Sequence, residues 1–290
     1  MRILKYISII ILAIYISSCT KKIPLQSNYE PQIFISGAIT NYSHFLAVTI
    51  LKSTDVSDLS GKTNAVKDVK IKLYTKNKYG VDSIIADSFN FVPSNPWQST
   101  ENDIYISYYP IFPVIGNTYW LEVTTPDNKV YKSEYEVLKE PVVIKSISNG
   151  NGKTRVTFED PKYENNFYYA NFDFYKNGTT VYYDFKISSD ALFNGNEEAF
   201  IEISIDDGMM PDGFDSIDVV LYHINYSSFV YQSNLFDQSD ANYTVENGDP
   251  GPLFAPPPVY LTGNIHSVET QKKVLGNFGI YSIDEKSFIP

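Results

Sequence analysis

The chain opens on an unbroken apolar run and then settles into short alternating stretches separated by turn residues. Residues 7–16 are almost wholly aliphatic, with Arg2 and Lys5 before them and Ser17, Ser18 and Cys19 behind. A positive start, an apolar centre of this length and small residues at its end predict a cleaved export leader. The run is shorter than the ~20 apolar residues that span a bilayer. It ends on a cysteine rather than an A-x-A site, which predicts a lipoprotein. On this reading residues 1–18 are expected to be removed and the Cys19 sulfur to carry a covalent lipid as the first group of the mature chain. A diacylglyceryl thioether plus an N-acyl chain exceeds what stable anchoring requires. Residues 19–31 are polar, include Pro24 and Pro31, and predict a lipidated tether.

Beyond the tether the hydrophobic period is two. Ile33 and Ile35 alternate with Phe34 and Ser36 before Gly37, and residues 45–50 form a second candidate strand. Residues 53–67 make a polar excursion. Residues 69–74 then alternate with Lys70 and Lys72 outward, and residues 104–108 follow a polar loop. Residues 119–123 and 129–131 flank Pro126-Asp127-Asn128, which carries hairpin turn chemistry. About seven short strands with regular turns and no helical period predict a small β-sandwich over residues 32–140.

A second β-domain is expected over residues 141–290. Candidate strands lie at 142–147, 155–158, 167–175, 181–187, 200–205 and 216–224, with turns at Asn149-Gly150-Asn151-Gly152 and Asn177-Gly178. Residues 226–238 carry weak helical spacing and predict one short helix. Residues 247–258 are rich in Gly and Pro and read as an extended or turning segment. A closing strand over 274–283 is expected to complete the second sheet, with Gly276 and Gly279 allowing a bulge or a close backbone approach.

Charge narrows the partners. Of 23 basic residues two, Arg2 and Lys5, leave with the leader, so the mature chain holds 21 against 34 acids, a net charge of −13. That balance argues against nucleic acid or an anionic membrane surface as a partner. Cys19 is the sole cysteine, so no intrachain disulfide forms and stability must come from buried cores. The 24 Tyr and 18 Phe suit half-buried sheets, and tyrosine also suits wet binding faces.

Catalytic signals are sparse. His44, His223 and His266 are far apart and none lies in a zinc-ligand spacing, and no G-x-S-x-G occurs. The densest acids, Asp206, Asp207, Asp212, Asp215 and Asp218, lie in one stretch with Gly208 and Gly213. Oxygen-rich loops bind calcium, and Asp206, Asp207, Asp212 and Asp215 are the candidate ligands. Their spacing departs from the D-x-[DN]-x-[DN]-G loop and fits solvated turns, so neither a metal nor a cofactor is expected. In the proline-stiffened stretch 249–260, Phe254 and Tyr260 are the candidate partner-binding side chains.

Several segments together resemble a family. The leader and Cys19, Ile35-Ser36-Gly37-Ala38-Ile39-Thr40, the stretch from Gly116 to Asp127 with its Gly-x-x-Tyr-x-Leu hairpin, and Asp190-Ala191-Leu192-Phe193-Asn194-Gly195 each match weakly alone. The closing motifs are the most specific: Pro256-Pro257-Pro258, Gly263-Asn264-Ile265 and Val274-Leu275-Gly276-Asn277-Phe278-Gly279-Ile280-Tyr281-Ser282. The whole is similar to the Bacteroidota outer-membrane lipoproteins catalogued as domain of unknown function 4249. The resemblance implies an immunoglobulin- or transthyretin-like first domain and a setting beside TonB-dependent receptors, and it brings no catalytic residues. Members usually carry acids soon after the cysteine, whereas Lys21 and Lys22 stand here, which leaves open the side of the outer membrane faced. The expected function is a non-enzymatic accessory or ligand-binding partner of a TonB-dependent transporter. A lipid-anchored hydrolase of glycans or peptides, or an adhesive surface protein, is the alternative.

Overall fold

In the computed structural model residues 30–53, 64–94, 103–205, 213–246 and 261–290 are described, with helix side chains as far as Asp237. Cys19, Asp206, Asp207, Asp212, Phe254 and Tyr260 lie outside the described residues. Pro31–Pro290 make one compact unit. Its strands enclose two hydrophobic cores, and among the described residues the protein is all-β apart from one helix and a single 3₁₀ turn.

The first core is a sandwich built from β1 (Ile33–Thr40), β2 (Ala47–Lys52), β3 (Lys70–Lys76), β4 (Asp82–Ala86), β5 (Phe89–Val92), β6 (Ile104–Ser107), β7 (Thr118–Thr124), β8 (Val130–Ser133) and the two-residue β9 (Glu136–Val137). Alternation sets the facing. In β3, Ile71 and Leu73 point inward and Lys70 and Lys76 outward, as strand geometry demands. Ile35, Val48, Ile50 and Tyr105 from β1, β2 and β6 pack against Ile71, Leu73, Tyr119, Leu121 and Val123 from β3 and β7. The β7–β8 hairpin turns where the proline motif predicts it, with Asn128 at φ 61 and Asn128 N–H donating to Thr125 O at 2.9 Å. The polar stretch before Ile104 is not all loop, because it contains β4 and β5. β4 is an edge strand exposed along most of its length, so burial imposes no clear alternation on its sequence.

The second core lies between two sheets. Strands β10 (Ile144–Gly150), β11 (Lys153–Phe158), β12 (Phe167–Lys176), β13 (Thr179–Ser189), β14 (Ala199–Ser204) and β15 (Ser216–Ile224) precede helix α1 (Tyr226–Glu246), and β16 (Thr262–Ser267), β17 (Lys273–Leu275) and β18 (Phe278–Phe288) follow it. One sheet runs β10-β11-β14 and the facing strands run β13-β12-β15-β18. Val156, Phe158, Ile201 and Ile203 meet Tyr168, Ala170, Phe172, Phe174, Ile217 and Val219 between them. The helix is longer than the stretch 226–238 and covers the outer face of β12 and β13. Phe229 packs on Phe167 at 4.9 Å between centroids and Phe236 on Phe185 at 3.9 Å. No helix among the described residues is long and apolar enough to cross a membrane.

The closing strand serves both cores. The first half of β18 runs parallel to β1, from Gly37↔Phe278 to Thr40↔Tyr281. Its second half runs antiparallel to β15, from His223↔Ser282 to Ile217↔Phe288. Where β1 ends, the Asn41 side chain continues the ladder: its Nδ2 donates to Ile283 O at 3.1 Å, and Ile283 N donates to its Oδ1 at 2.7 Å. The strand therefore completes the second sheet, as the sequence predicts, and also enters the first sandwich. Phe278 and Ile280, with Ile265 of β16, are buried in the first core.

Candidate functional site

A cleft of about 560 Å³ opens where α1 begins against β9 and β16, lined by Tyr135, Glu136, Lys139, Tyr226, Val230 and Lys273 among others. Glu136 is its one buried charge, 8% exposed. The start of the helix supplies two of its partners. Asn225 O accepts Phe229 N–H at 2.9 Å, which begins the helix. Asn225 Nδ2 then donates to Glu136 Oε2 at 2.8 Å, and Ser227 Oγ–H donates to Oε1. Asn264 Nδ2 donates to the same Oε1 at 3.0 Å and to Phe278 O at 2.8 Å. Burial pushes the Glu136 carboxyl above its ordinary range, and the three donors offset this only in part.

The geometry of this cluster is that of a clamp. Three donors occupy the carboxylate, and among the described residues no second acid converges on it to form the pair that glycoside hydrolysis uses. The one other cleft acid, Glu134, lies 3.8 Å from Lys273 Nζ. Asn277 extends the clamp: its Oδ1 accepts Asn264 N–H at 3.2 Å and its Nδ2 donates to Ser228 Oγ at 3.1 Å. Four elements, β9, α1, β16 and β18, are thereby tied at one point.

A second buried cluster lies inside the second sandwich. Tyr168 Oη–H donates to Asp160, whose Oδ2 also accepts Gly195 N–H at 2.6 Å. Burial, then Asp160, pushes the Tyr168 phenol far above its ordinary value. His223 Nδ1–H donates to Glu140 O at 3.0 Å, and burial pushes this imidazole below its ordinary value. These groups are closed within the core and serve packing.

The predicted acidic loop is represented by Asp215, whose Oδ2 accepts Asn177 N–H at 2.6 Å and so fastens the β12–β13 turn. Asp218 lies in β15 directly opposite Asp173 of β12, and burial followed by Asp218 raises the Asp173 pKa. Among the described residues no group of three or more His, Cys, Asp or Glu is placed to hold a metal ion.

The most distinctive surface is a tip of the first sandwich. The loops after β1 and β6 carry Tyr42, Phe45, Tyr108, Tyr109, Phe112 and Val114, all exposed, with Phe112 at 73%. Ile111 N–H donates to His44 O at 2.7 Å and Ser107 N–H to Leu46 O at 2.9 Å, which joins the two loops. Tyr119 Oη braces the second loop by accepting Val114 N–H at 2.6 Å. Buried Leu46 and Ile111 anchor the tip from beneath. Residues 41–46 and 108–118 contain no Asp, Glu, Lys or Arg, in a chain of net charge −11. The sequence signal for this tip is its uncharged Tyr/Phe/Pro composition, which contains no catalytic motif.

The profile of the family described as Domain of unknown function (DUF4249) matches residues 20–287. The chain belongs to the DUF4249 family. No curated protein matches it. Among solved structures, the FN1–FN3 domains of chicken CNTN1 are similar at 14% identity, covering 68% of this chain and 60% of that one with a TM-score of 0.19. The chain thus spans less than two thirds of that structure, and the architecture stands on its own strand pairing.

Within this DUF4249 protein the closing motifs coincide with the clamp. Asn264 and Asn277 are two of its three amides, and the glycines beside them are sterically required. A Cβ on Gly263 would lie 2.3 Å from Asn277 Oδ1. Gly276 has φ 96, and a Cβ there would lie 1.9 Å from Ile35 O. Asn225, Ser227 and Glu136, which complete the clamp, carry no local motif and become legible only once the strands are paired.

Proposed function

We propose that this protein is a non-enzymatic, lipid-anchored outer-membrane lipoprotein that partners a TonB-dependent transporter and helps capture or gate its ligand. The observation that carries this reading is the braced, charge-free aromatic tip. Tyrosine-rich rigid surfaces bind with little ordering cost, and exposed aromatic patches of this kind mark interaction sites. An acidic body repels most of the envelope surface, and the uncharged tip leaves one face on which close approach is not opposed. The anchor at Cys19 confines the protein to two dimensions, so a modest interface suffices. Family membership supports the setting, and the donor-saturated Glu136 supports a non-catalytic role.

Affinity purification from detergent-solubilised envelopes tests the reading. The protein is expected to recover one abundant outer-membrane barrel. Tyr109→Ala with Phe112→Ala should reduce that recovery tenfold or more while leaving Tm within a few degrees, because both rings are exposed. Absence of any barrel after crosslinking would sink the accessory role and move an adhesive or enzymatic one ahead.

A further inference from the structure

Two crossings of the chain between the sandwiches meet at one carbonyl. The first is Lys139-Glu140-Pro141, which leads from β9 to β10. The second is the middle of β18, where pairing passes from β1 at Tyr281 to β15 at Ser282. Glu140 O accepts Ser282 Oγ–H at 3.0 Å and His223 Nδ1–H at 3.0 Å. One imidazole therefore fastens β15 to the point where both crossings touch, and it is 3% exposed.

The other ring nitrogen, Nε2, lies 3.0 Å from Asn166 Oδ1. That amide is fixed in its orientation, because its Nδ2 donates to Pro161 O at 3.0 Å and to Glu164 O at 3.3 Å. Lys139 Nζ donates to the same Oδ1 at 3.4 Å and to Glu164 Oε2 at 3.0 Å. A proton on Nε2 would gain Oδ1 as an acceptor, but it would set a second positive charge against the ammonium of the crossing itself. Around the ring, Tyr168 of β12 stacks at 5.5 Å between centroids and commits its hydroxyl to Asp160. Asp190 Oδ2 is held by Asn166 N–H at 2.8 Å, and Asp284 Oδ2 of β18 by Ile144 N–H at 2.8 Å. Burial, first, and then Lys139 oppose the charged ring, while the Glu140 O bond, Glu164 and Asp160 favour it. The balance leaves the imidazole below its ordinary 6.5.

We propose that His223 is an acid-released fastener of the joint between the two sandwiches. The neutral ring donates to Glu140 O and holds the joint closed. Protonation buries a charge beside Lys139, so the closed joint loses ground to an open one in which both cations meet water. The contribution of His223 to closure is full above the ordinary value of 6.5 and is lost as pH falls below it. Opening frees the Lys139-Glu140 crossing while the main chain of β18 still links the sandwiches. The first sandwich, with its aromatic tip, then gains freedom against the second. This inference is independent of the transporter reading.

The test follows the imidazole nitrogen signals of the isotope-labelled full-length protein by NMR, together with amide hydrogen exchange. At pH 7.5 His223 should be neutral and protonated on Nδ1. Asn166 and Asp190 report on the loop that covers Nε2, since Asp190 N–H donates to Asn166 O at 3.0 Å. Their protection factors should fall about tenfold between pH 7.5 and pH 5.0. His223→Gln should abolish that fall. Glu136 responds to pH in the opposite sense, so the difference between wild type and variant isolates the imidazole. Lys139→Met, which removes the second charge, should raise the imidazole midpoint by about half a pH unit. If His223→Gln does not fold, the wild-type signals and Lys139→Met still decide. An imidazolium already present at pH 7.5, or protection that rises on acidification, overturns the proposal. An equal loss of protection in His223→Gln also overturns it, assigning the release to Asp160, Glu164 or Asp190.

Discussion

The two sandwiches are built on different plans. The second is assembled largely from strands close in sequence: β10 pairs β11, β12 pairs β13, and β15 joins β12 from about 40 residues away. The first depends on the far end of the chain. Its opening strand β1 lies between β2, which follows it directly, and β17 and β18, more than 230 residues later. Phe278, Ile280 and Ile265 fill a core whose other fully buried members all precede residue 140. Local pairing costs little loop entropy, whereas closing a loop of that length needs a compensating set of contacts. The clamp at Glu136, Asn264 and Asn277 supplies part of that compensation where the returning strands arrive.

Truncation after Lys272 should break this comparison open with the largest effect. It removes β17 and β18, leaving β1 without a partner on one side and β15 exposed at an edge. The first sandwich should lose its cooperative unfolding transition, since the missing apolar contacts rival the whole ~5–15 kcal/mol stability of a domain. Tryptophan emission reads this region through Trp120, one of two tryptophans in the chain, which is buried in β7. A truncated protein with unshifted emission and unchanged Tm would show β18 to be a peripheral arm.

Gly276→Ala sharpens the same point without deleting anything. The left-handed φ costs a side chain roughly 1–2 kcal/mol, and collision with Ile35 O adds to it. A loss of about 3 kcal/mol in chemical denaturation is expected. Phe172→Ala, wholly within the second core, is the matched control at about 3–5 kcal/mol. The glycine change should lower the tryptophan-detected transition of the first sandwich, and the phenylalanine change should act first on tyrosine signals of the second. Identical effects of both variants on every probe would show that the two cores unfold as one.

What was legible in the sequence follows the same division. Strands with one buried face announced themselves by alternation, as Ile71 and Leu73 do beside Lys70 and Lys72. The Pro126 and Asn177 turns also fell where their chemistry put them. β4 escaped because an exposed edge imposes no pattern, and the full length of α1 because the sequence of residues 238–246 has no apolar period. Pairing of β18 with β1 could not be read at all, since a parallel partner across the whole chain leaves no local trace. The motif glycines and asparagines near residues 263–279 were visible as a pattern, but their reason is a junction that exists only in three dimensions. The aromatic tip was visible as composition and needed the fold to become a surface.

The smallest effect expected concerns the clamp itself and is a matter of sign. Glu136 has a carboxyl pKa raised by burial above the ordinary value of 4.5. A raised acid binds its proton more tightly when folded, so its contribution to stability is full below the unfolded value and is lost as pH rises through the folded one. Glu136→Gln removes that dependence and leaves one amide facing the Asn225 and Asn264 donors without a matching acceptor. The variant should be about 1–3 kcal/mol less stable. The gap between the two proteins should widen as pH falls from neutrality toward 4.5. Denaturation at three pH values across that window measures it. Paired carboxylates such as Glu202, held low by Lys153 and Arg155, push total stability the opposite way, so only the difference between wild type and variant isolates Glu136. A gap that narrows on acidification would mean that the three donors outweigh burial. The clamp would then hold a carboxylate with a depressed pKa, and charge-assisted hydrogen bonds would tie the first sandwich to the chain's end.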